Sequence, residues 1–302
     1  MTLVAQSVAI SVPATCANLG PGYDSLGLAL DWRDEYRARV TEQPGVLVRV
    51  VGEGEDEVDR GAHNLVVRAL LRGLEEMGES APAGLELHCT NRIPHGRGLG
   101  SSSAAIVGGL GLARALVVEE SRRLDDEALL ALAIDIEGHP DNVAPAVLGG
   151  FCIGWVDESG GHAVRLDPHD SLMAVVAVPG TSLPTEAARG LMPQEVPMVD
   201  AVANLSRTAL LVEAIARSPR LLLAATADAI HQDRREAAYP ASIALMRALR
   251  EAGFAAVISG AGPSVLVLTV EPAQTTAAVT AAAGTGWQVA PSVISDLGLS
   301  SL

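Results

Sequence analysis

Apolar and polar positions alternate over residues 3–14, a stretch dense in β-branched residues and closed by Pro13, and this period of two predicts a strand. Residues 37–51 resume the alternation and predict one or two further strands. Residues 52–61 are acidic and broken by glycine, which reads as a loop. From His63 the apolar positions shift to helical spacing, and from Leu85 to Cys89 they return to alternation. Residues 101–117 contain no proline and are rich in Ala, Ile, Leu and Val, predicting a buried helix; residues 124–137 predict a second, central one. Beyond them, residues 151–156 and 173–178 predict strands of a second half. Residues 201–216 and 221–230 predict helices, 254–258 and 265–270 two strands around a small-residue turn, and 273–283 an Ala/Thr-rich helix. The last ten residues read as a loose tail. No internal repeat or low-complexity linker interrupts this order, and a change of composition at Gly149-Gly150 divides the chain into halves, 1–150 and 151–302.

Composition narrows the possibilities. A chain of 302 residues suits one large domain or two intimately joined ones. Apolar residues make up 49% of it but aromatics only 3%, so the core must be built from Ala, Val, Leu and Ile. The net charge of −15 leaves no basic face for nucleic acid, and an anionic ligand must be met by local arginines, helix dipoles or a metal. Cys16, Cys89 and Cys152 are odd in number, widely spaced and set in apolar segments, which predicts buried thiols in a reducing compartment. The first residues lack a basic region followed by an apolar core, and no apolar run approaches the ~20 residues of a membrane span. A cytoplasmic protein with no membrane partner is therefore expected.

The run from Pro94 to Ala105 carries the first chemistry. It follows a predicted strand, precedes a predicted buried helix, and spaces Gly96, Gly98 and Gly100 so that the backbone can approach a ligand closely. Ser101, Ser102 and Ser103 can cap the helix and supply hydroxyls. A glycine turn with a serine cap would account for the pattern, but a helix N-terminus is also a natural phosphate site. All 21 basic residues are arginine and none is lysine, which excludes a Walker loop, a protein-kinase-type site, a pyridoxal Schiff base and lysine nucleophiles. A nucleotide held here must rely on backbone, serines and metal.

Further polar clusters punctuate the chain. Gly20-Pro-Gly22 forces a tight bend that would bring Asn18 and Asp24 together. Asn64 stands where a helix cap is needed. Glu137, His139, Asp141 and Asn142 crowd a carboxylate, an imidazole, a second carboxylate and an amide within six residues, ended by Pro140, beside a buried helix, which reads as a capping network or an active-site wall. Thr185 and Arg189 fall at i and i+4.

In three stretches the sequence resembles the GHMP kinases, the superfamily of galactokinase, homoserine kinase, mevalonate kinase and phosphomevalonate kinase. The run at Pro94 is similar to the second motif, Pro-x3-Gly-Leu-Gly-Ser-Ser-Ala-Ala, with Ser103 at a common alanine. Pro13 to Asp24 resembles the first motif of homoserine kinases in particular, and Ser259-Gly-Ala-Gly-Pro-Ser264 the third, whose backbone closes over the first. Thr185-Glu-Ala-Ala-Arg189 fits the pattern Thr-x-x-Ala-Arg. His231-Gln-Asp-Arg-Arg235 keeps the ends of His-Glu-Pro-Tyr-Arg, with Arg234 as a competitor of Arg235.

The resemblance implies an α+β fold of the GHMP-kinase two-domain type, with mixed or antiparallel sheets and the nucleotide and substrate site between the halves. It implies ATP and Mg²⁺, a phosphoryl transfer to the hydroxyl of L-homoserine on the route to threonine, and it admits a homodimer. Nucleotide contacts would come from Asn64, Pro94, Gly96, Arg97, Gly98, Leu99, Gly100, Ser101, Ser102 and Ser103. Mg²⁺ would sit on Ser102 and Glu137, with Asp135 as the competing carboxylate. Arg189 and Arg235 would pair with the substrate carboxylate, Asp24 with its ammonium, and Asn18, His139 and Asn142 would orient the hydroxyl, with Thr185 nearby. Catalysis would fall to Asn142, His139 and Arg189. Asparagine accepts no proton, so the substrate proton leaves late, with the γ-phosphate itself as one acceptor. A sister kinase for threonine or another small alcohol, and a metabolite sensor without catalysis, are the alternatives.

Overall fold

The computed structural model describes residues 3, 4, 6–182 and 189–302. Its larger sheet has seven strands: β1 (Val8–Ala17), β2 (Leu26–Thr41), β3 (Gly45–Gly52), β4 (Gly84–Asn91), β5 (Phe151–Asp157), β6 (Gly160–Leu166) and a terminal pair, Ser300–Ser301, on the outer edge of β1. The 16-residue β2 is the spine of this sheet. Its first residues pair antiparallel with β5, its later ones with β4, and β1 runs antiparallel along the other side. β3 and β4 are parallel, because α1 (Leu65–Glu76) lies between them in the chain and supplies the crossover that a parallel pair requires. The smaller sheet is antiparallel, in the order Trp287–Val293, Met173–Pro179 (β7), Val265–Thr269 (β9), Ala255–Ile258 (β8).

Helices α2 (Ser101–Leu116), α3 (Asp126–Glu137) and α4 (Pro140–Leu148) pack over the larger sheet. The long α5 (Met198–Ala216), the short α6 (Leu222–Ala225), α7 (Pro240–Glu251) and α8 (Pro272–Ala283) accompany the smaller one. α3 starts where the Asp125 side chain accepts the Ala128 amide and stops at Gly138 in the left-handed conformation. β7 alternates between two cores: Ala174, Val176 and Val178 join the main cluster, and Val175 and Ala177 face the cluster lined by α7. The aromatic-poor core expected from composition is present, with Tyr36 and Phe151 among its largest buried members.

Four expectations are corrected. Residues 151–156 do form a strand, but it belongs to the first sheet, because β5 pairs with β2. The terminal residues are not a loose tail: Arg33 donates six hydrogen bonds to Ser11, Ser295, Leu297, Gly298 and Ser300, and Leu30 bridges Ile294. Residues 221–230 are α-helical only over Leu222–Ala225, preceded by a 3₁₀ turn at Pro219–Leu221. Pro140, read as an end, opens α4, where its fixed φ suits the first helical position. Thr185 lies outside the described residues.

Candidate active site

The phosphate loop is anchored before it turns. Asp34, a buried residue of β2, accepts the amides of Arg92 and Ile93 at 2.6 and 2.9 Å and the Tyr36 hydroxyl at 3.0 Å. Gly96, Gly98 and Gly100 then all take φ between 64° and 73°. A Cβ on Gly98 would overlap the Ser259 carbonyl oxygen, and one on Gly100 the Thr15 hydroxyl, so glycine is required for close approach as well as for φ. The helix cap is Gly100, with no side-chain hydrogen bond, which corrects the expectation that the serines cap α2. Ser102 and Ser103 instead donate to the two oxygens of Glu137, at 2.9 and 2.8 Å. The N–H groups of the first turn of α2 thus have no serine side chain capping them, as an anion site needs.

Two cavities meet at this helix end, and Ser101 and Ser102 line both. The first, about 170 Å³, is walled by Asn18, Asp24, Gly96, Gly98, Gly100, Glu137, His139, Asp141, Asn142, Arg189, Arg235, Gly260 and Ala261. The second, about 330 Å³, lies among Tyr36, Val58, His63, Asn64, Leu65 and His95. Asn64 serves as cap and wall together, accepting from the Val66 amide while its Nδ2 donates to the Asp59 carbonyl. Asp135, the competing carboxylate, is exposed and lines neither cavity, whereas Glu137 lines the first.

Other assignments change. Pro94 and Leu99 are buried and line neither cavity, and Ser103 reaches the site only through Glu137. The Arg97 guanidinium is committed to the carbonyls of His95, Pro179 and Gly180, where it ties the loop to the end of β7 rather than facing a phosphate. The bend does bring Asn18 and Asp24 together. The Asn18 amide, however, is spent on backbone at both ends, accepting from the Asp24 amide and donating to the Gly260 carbonyl, each at 2.9 Å. Asn18, Leu19 and Asp24 are, among the described residues, the non-glycine positions with positive φ, so backbone strain is concentrated in this loop. The third loop closes over it, with the Gly260 amide on the Ala17 carbonyl and the Ser259 hydroxyl on that of Gly98.

The charges of the first cavity divide into three groups. Arg189 makes a bidentate pair with Asp24, at 2.8 and 3.1 Å, so two residues assigned to opposite ends of a substrate meet each other. Arg235 is only 1% exposed and has no carboxylate partner among the described residues. It contacts the Tyr23 hydroxyl and His231 Nδ1, each at 3.3 Å, and stacks over the Tyr23 ring. Burial lowers the His231 pKa, so this ring is neutral, with Nε2 donating to the Gly20 carbonyl at 2.7 Å. Arg234, the competitor, pairs with Asp200 at 3.5 Å and lines neither cavity. The third group is His139 with Asp141, joined at 2.6 Å, with His139 Nε2 4.0 Å from Glu137. Burial alone would lower the His139 pKa, but the hydrogen bond and charge of Asp141, joined by Glu137, outweigh it and the net shift is upward. Sequence reasoning noticed Asp141 without giving it a role, and Thr15, inside the first motif, received none because its partner Asn142 lies 127 positions away.

Residues 64–150 match the family described as GHMP kinases N terminal domain, and residues 203–284 match GHMP kinases C terminal. The homoserine kinase of Streptomyces coelicolor is 52% identical over 283 residues, covering 94% of this chain and 90% of that protein. The chain belongs to the homoserine kinase family of GHMP kinases. Within that family, the homoserine kinase of Mycobacterium tuberculosis is 47% identical over 292 residues, or 95% of this chain and 91% of that protein. The crystal structure of homoserine kinase from Cytophaga hutchinsonii superposes with a TM-score of 0.85 at 28% identity, covering 98% of this chain and 97% of that one. The α+β fold of the GHMP-kinase type expected from the motifs is borne out.

Proposed function

We propose that this cleft transfers the γ-phosphoryl group of ATP to the side-chain hydroxyl of L-homoserine, giving O-phospho-L-homoserine for threonine synthesis. The observation that carries the reading is the junction of the two cavities at the N-terminus of α2, with a buried guanidinium in the smaller one that has no carboxylate partner among the described residues. The larger cavity takes the nucleoside, the helix end and the glycine loop take the phosphates, and the smaller cavity takes the acceptor. A buried charge without a counter-ion is costly, so Arg235 calls for a carboxylate from the substrate. Asp24 and Arg189 neutralise each other, and a zwitterionic amino acid entering between them exchanges one ion pair for two.

The acceptor hydroxyl then lies toward His139 and Asn142, in line with the phosphate loop. Transfer forms a bond from the hydroxyl oxygen to the γ-phosphorus and breaks the bond to the β,γ-bridging oxygen. Alignment and charge neutralisation matter more than a strong base. Asp141 raises the His139 pKa and so favours positive charge beside the transferring group, and the substrate proton leaves late, to an oxygen of the transferred phosphoryl group.

Hydroxyl and carboxylate oxygens suit Mg²⁺, which takes few protein ligands. Glu137 with Ser102 provides that donor set, and no cluster of three or more His, Cys, Asp or Glu among the described residues offers a dedicated cage. Mg²⁺ held there would offset the charge that develops on the phosphates. No described helix is long and apolar enough to cross a membrane, and the free buried Cys16, Cys89 and Cys152 suit a reducing cytoplasm.

The test is ADP release with Mg·ATP and L-homoserine beside L-threonine, L-serine, mevalonate, galactose and no acceptor. Turnover well above the others with homoserine supports the reading, and turnover with another acceptor alone rejects it. Asn142→Ala should lose rate steeply while keeping substrate affinity; near-normal turnover would remove Asn142 from the mechanism.

A further inference from the structure

Thr15 sits on β1 with no exposed surface, so it cannot touch a substrate, yet it is joined to both halves of the reacting centre. Its Oγ1 donates to Asn142 Oδ1 at 2.9 Å, and its amide donates to the Leu99 carbonyl at 3.0 Å, inside the phosphate loop. The absence of a side chain on Gly100 makes room for that hydroxyl, since a Cβ there would overlap it.

A primary amide has two chemically opposite ends. With Oδ1 held by Thr15, Asn142 has Nδ2 left over, and Nδ2 makes no hydrogen bond among the described residues while the side chain lines the acceptor cavity. Turning the amide over would bring Nδ2 to Thr15 and leave the threonine hydroxyl hydrogen buried without an acceptor, a cost that native structures avoid. The orientation also matters for the chemistry. An N–H donated to the acceptor oxygen leaves that hydroxyl's own hydrogen free to point at the phosphate, whereas an amide oxygen would draw the hydrogen away.

We infer that Thr15 is a positioning residue for phosphoryl transfer: its hydroxyl fixes the Asn142 amide with the NH₂ toward the acceptor and couples that orientation to the phosphate loop. The inference rests on the reading of Asn142 as the group that aligns the acceptor hydroxyl. Thr15 therefore acts on the rate of transfer, through Asn142, and not on the binding of either substrate.

The experiment is a double-mutant cycle with Thr15→Val, Asn142→Ala and the pair, with Thr15→Ser as the conservative control, followed by ADP release with saturating ATP and varied homoserine. Thr15→Val should lower kcat roughly ten- to hundredfold. KM for both substrates should stay within about twofold, and Thr15→Ser should recover most of the rate. The pair should be no slower than Asn142→Ala alone, because the hydroxyl has nothing left to hold. A pair slower by the product of the two single effects, or a Thr15→Val variant that raises KM and keeps kcat, overturns the inference. Thermal unfolding of every variant guards against misfolding, and Thr15→Ala carries the same cycle should the valine variant fold poorly. A wild-type protein without homoserine-dependent turnover defeats the functional reading and this inference together, whereas normal wild-type turnover with an additive cycle defeats this inference alone.

Discussion

Arg235→Met separates a substrate-binding guanidinium from a structural one, because the two roles predict opposite balances of stability and activity. In the folded protein the guanidinium is buried and its described partners are neutral, the Tyr23 hydroxyl and His231 Nδ1 at 3.3 Å each. Losing those two long hydrogen bonds costs about 1 kcal/mol apiece. Against this, removing a buried charge relieves a desolvation penalty of several kcal/mol, and a methionine of similar length refills the space. Unfolding free energy should therefore fall by no more than about 1 kcal/mol, and it should rise if relief dominates. Activity goes the other way. A hydrogen bond to a charged carboxylate is worth about 1.5–3 kcal/mol, so kcat/KM for homoserine should drop roughly ten- to hundredfold. The assay compares L-homoserine with L-2-amino-1,4-butanediol, whose carboxylate is reduced to an alcohol. Wild type should favour homoserine strongly, and the variant should treat the two nearly alike. A variant that loses the same factor on both substrates, or that unfolds several kcal/mol more readily, would refute the reasoning.

Other perturbations test neighbouring parts of the site. Asp141→Asn removes the partner that raises the His139 pKa while leaving the burial that lowers it, so the imidazole should titrate at lower pH by histidine NMR. Because the wild-type shift is upward, His139 contributes stability that is fully present below its unfolded pKa of about 6.5 and is lost as pH rises through the folded value. In the variant that contribution should vanish, and an unmoved titration would show that Asp141 does not govern it. Glu137→Gln should raise the Mg²⁺ needed for half-maximal ADP release at least about tenfold, by analogy with losses at metal sites; an unchanged Mg²⁺ titration would move the metal elsewhere. Gly98→Ala must place a Cβ against the Ser259 carbonyl at φ 71°, whereas Gly253→Ala has φ 90° and nothing within 4 Å. Both pay roughly 1–2 kcal/mol for left-handed backbone, and Gly98→Ala should lose roughly 1–3 kcal/mol more in denaturant unfolding. Equal losses would mean that the phosphate loop and the third loop are not in tight contact.

The glycine-loop end of the site was legible along the chain because it is local. A strand, a glycine loop and a helix N-terminus occupy one continuous run, Gly84 to Leu116, and each glycine declares the φ it must adopt. The bend at Gly20-Pro-Gly22 was legible for the same reason. Arg97 was misread because its sequence neighbours are phosphate-loop residues while its partners, Pro179 and Gly180, are some eighty positions away. The tail was misread likewise, since Arg33 reaches it across more than 260 residues. Pro140 looked like an ending because proline breaks helices in their interior, yet at the first helical position it suits a beginning.

By itself the sequence determined most of the strands and helices, though not β6, α4, α7 or the strand Trp287–Val293, together with the loops able to hold a phosphate, the exclusion of lysine chemistry and the set of polar residues available to a substrate. Such properties follow from backbone preference, side-chain chemistry and periodicity over a few residues. Only the tertiary structure decided what each polar group does. It gave Glu137 to two serine hydroxyls, paired Asp24 with Arg189, left Arg235 buried without a described carboxylate, and put Thr15 behind Asn142. A hydrogen bond or ion pair depends on ångström distances between atoms that the chain separates by tens or hundreds of residues, and those distances exist only once both sheets have packed.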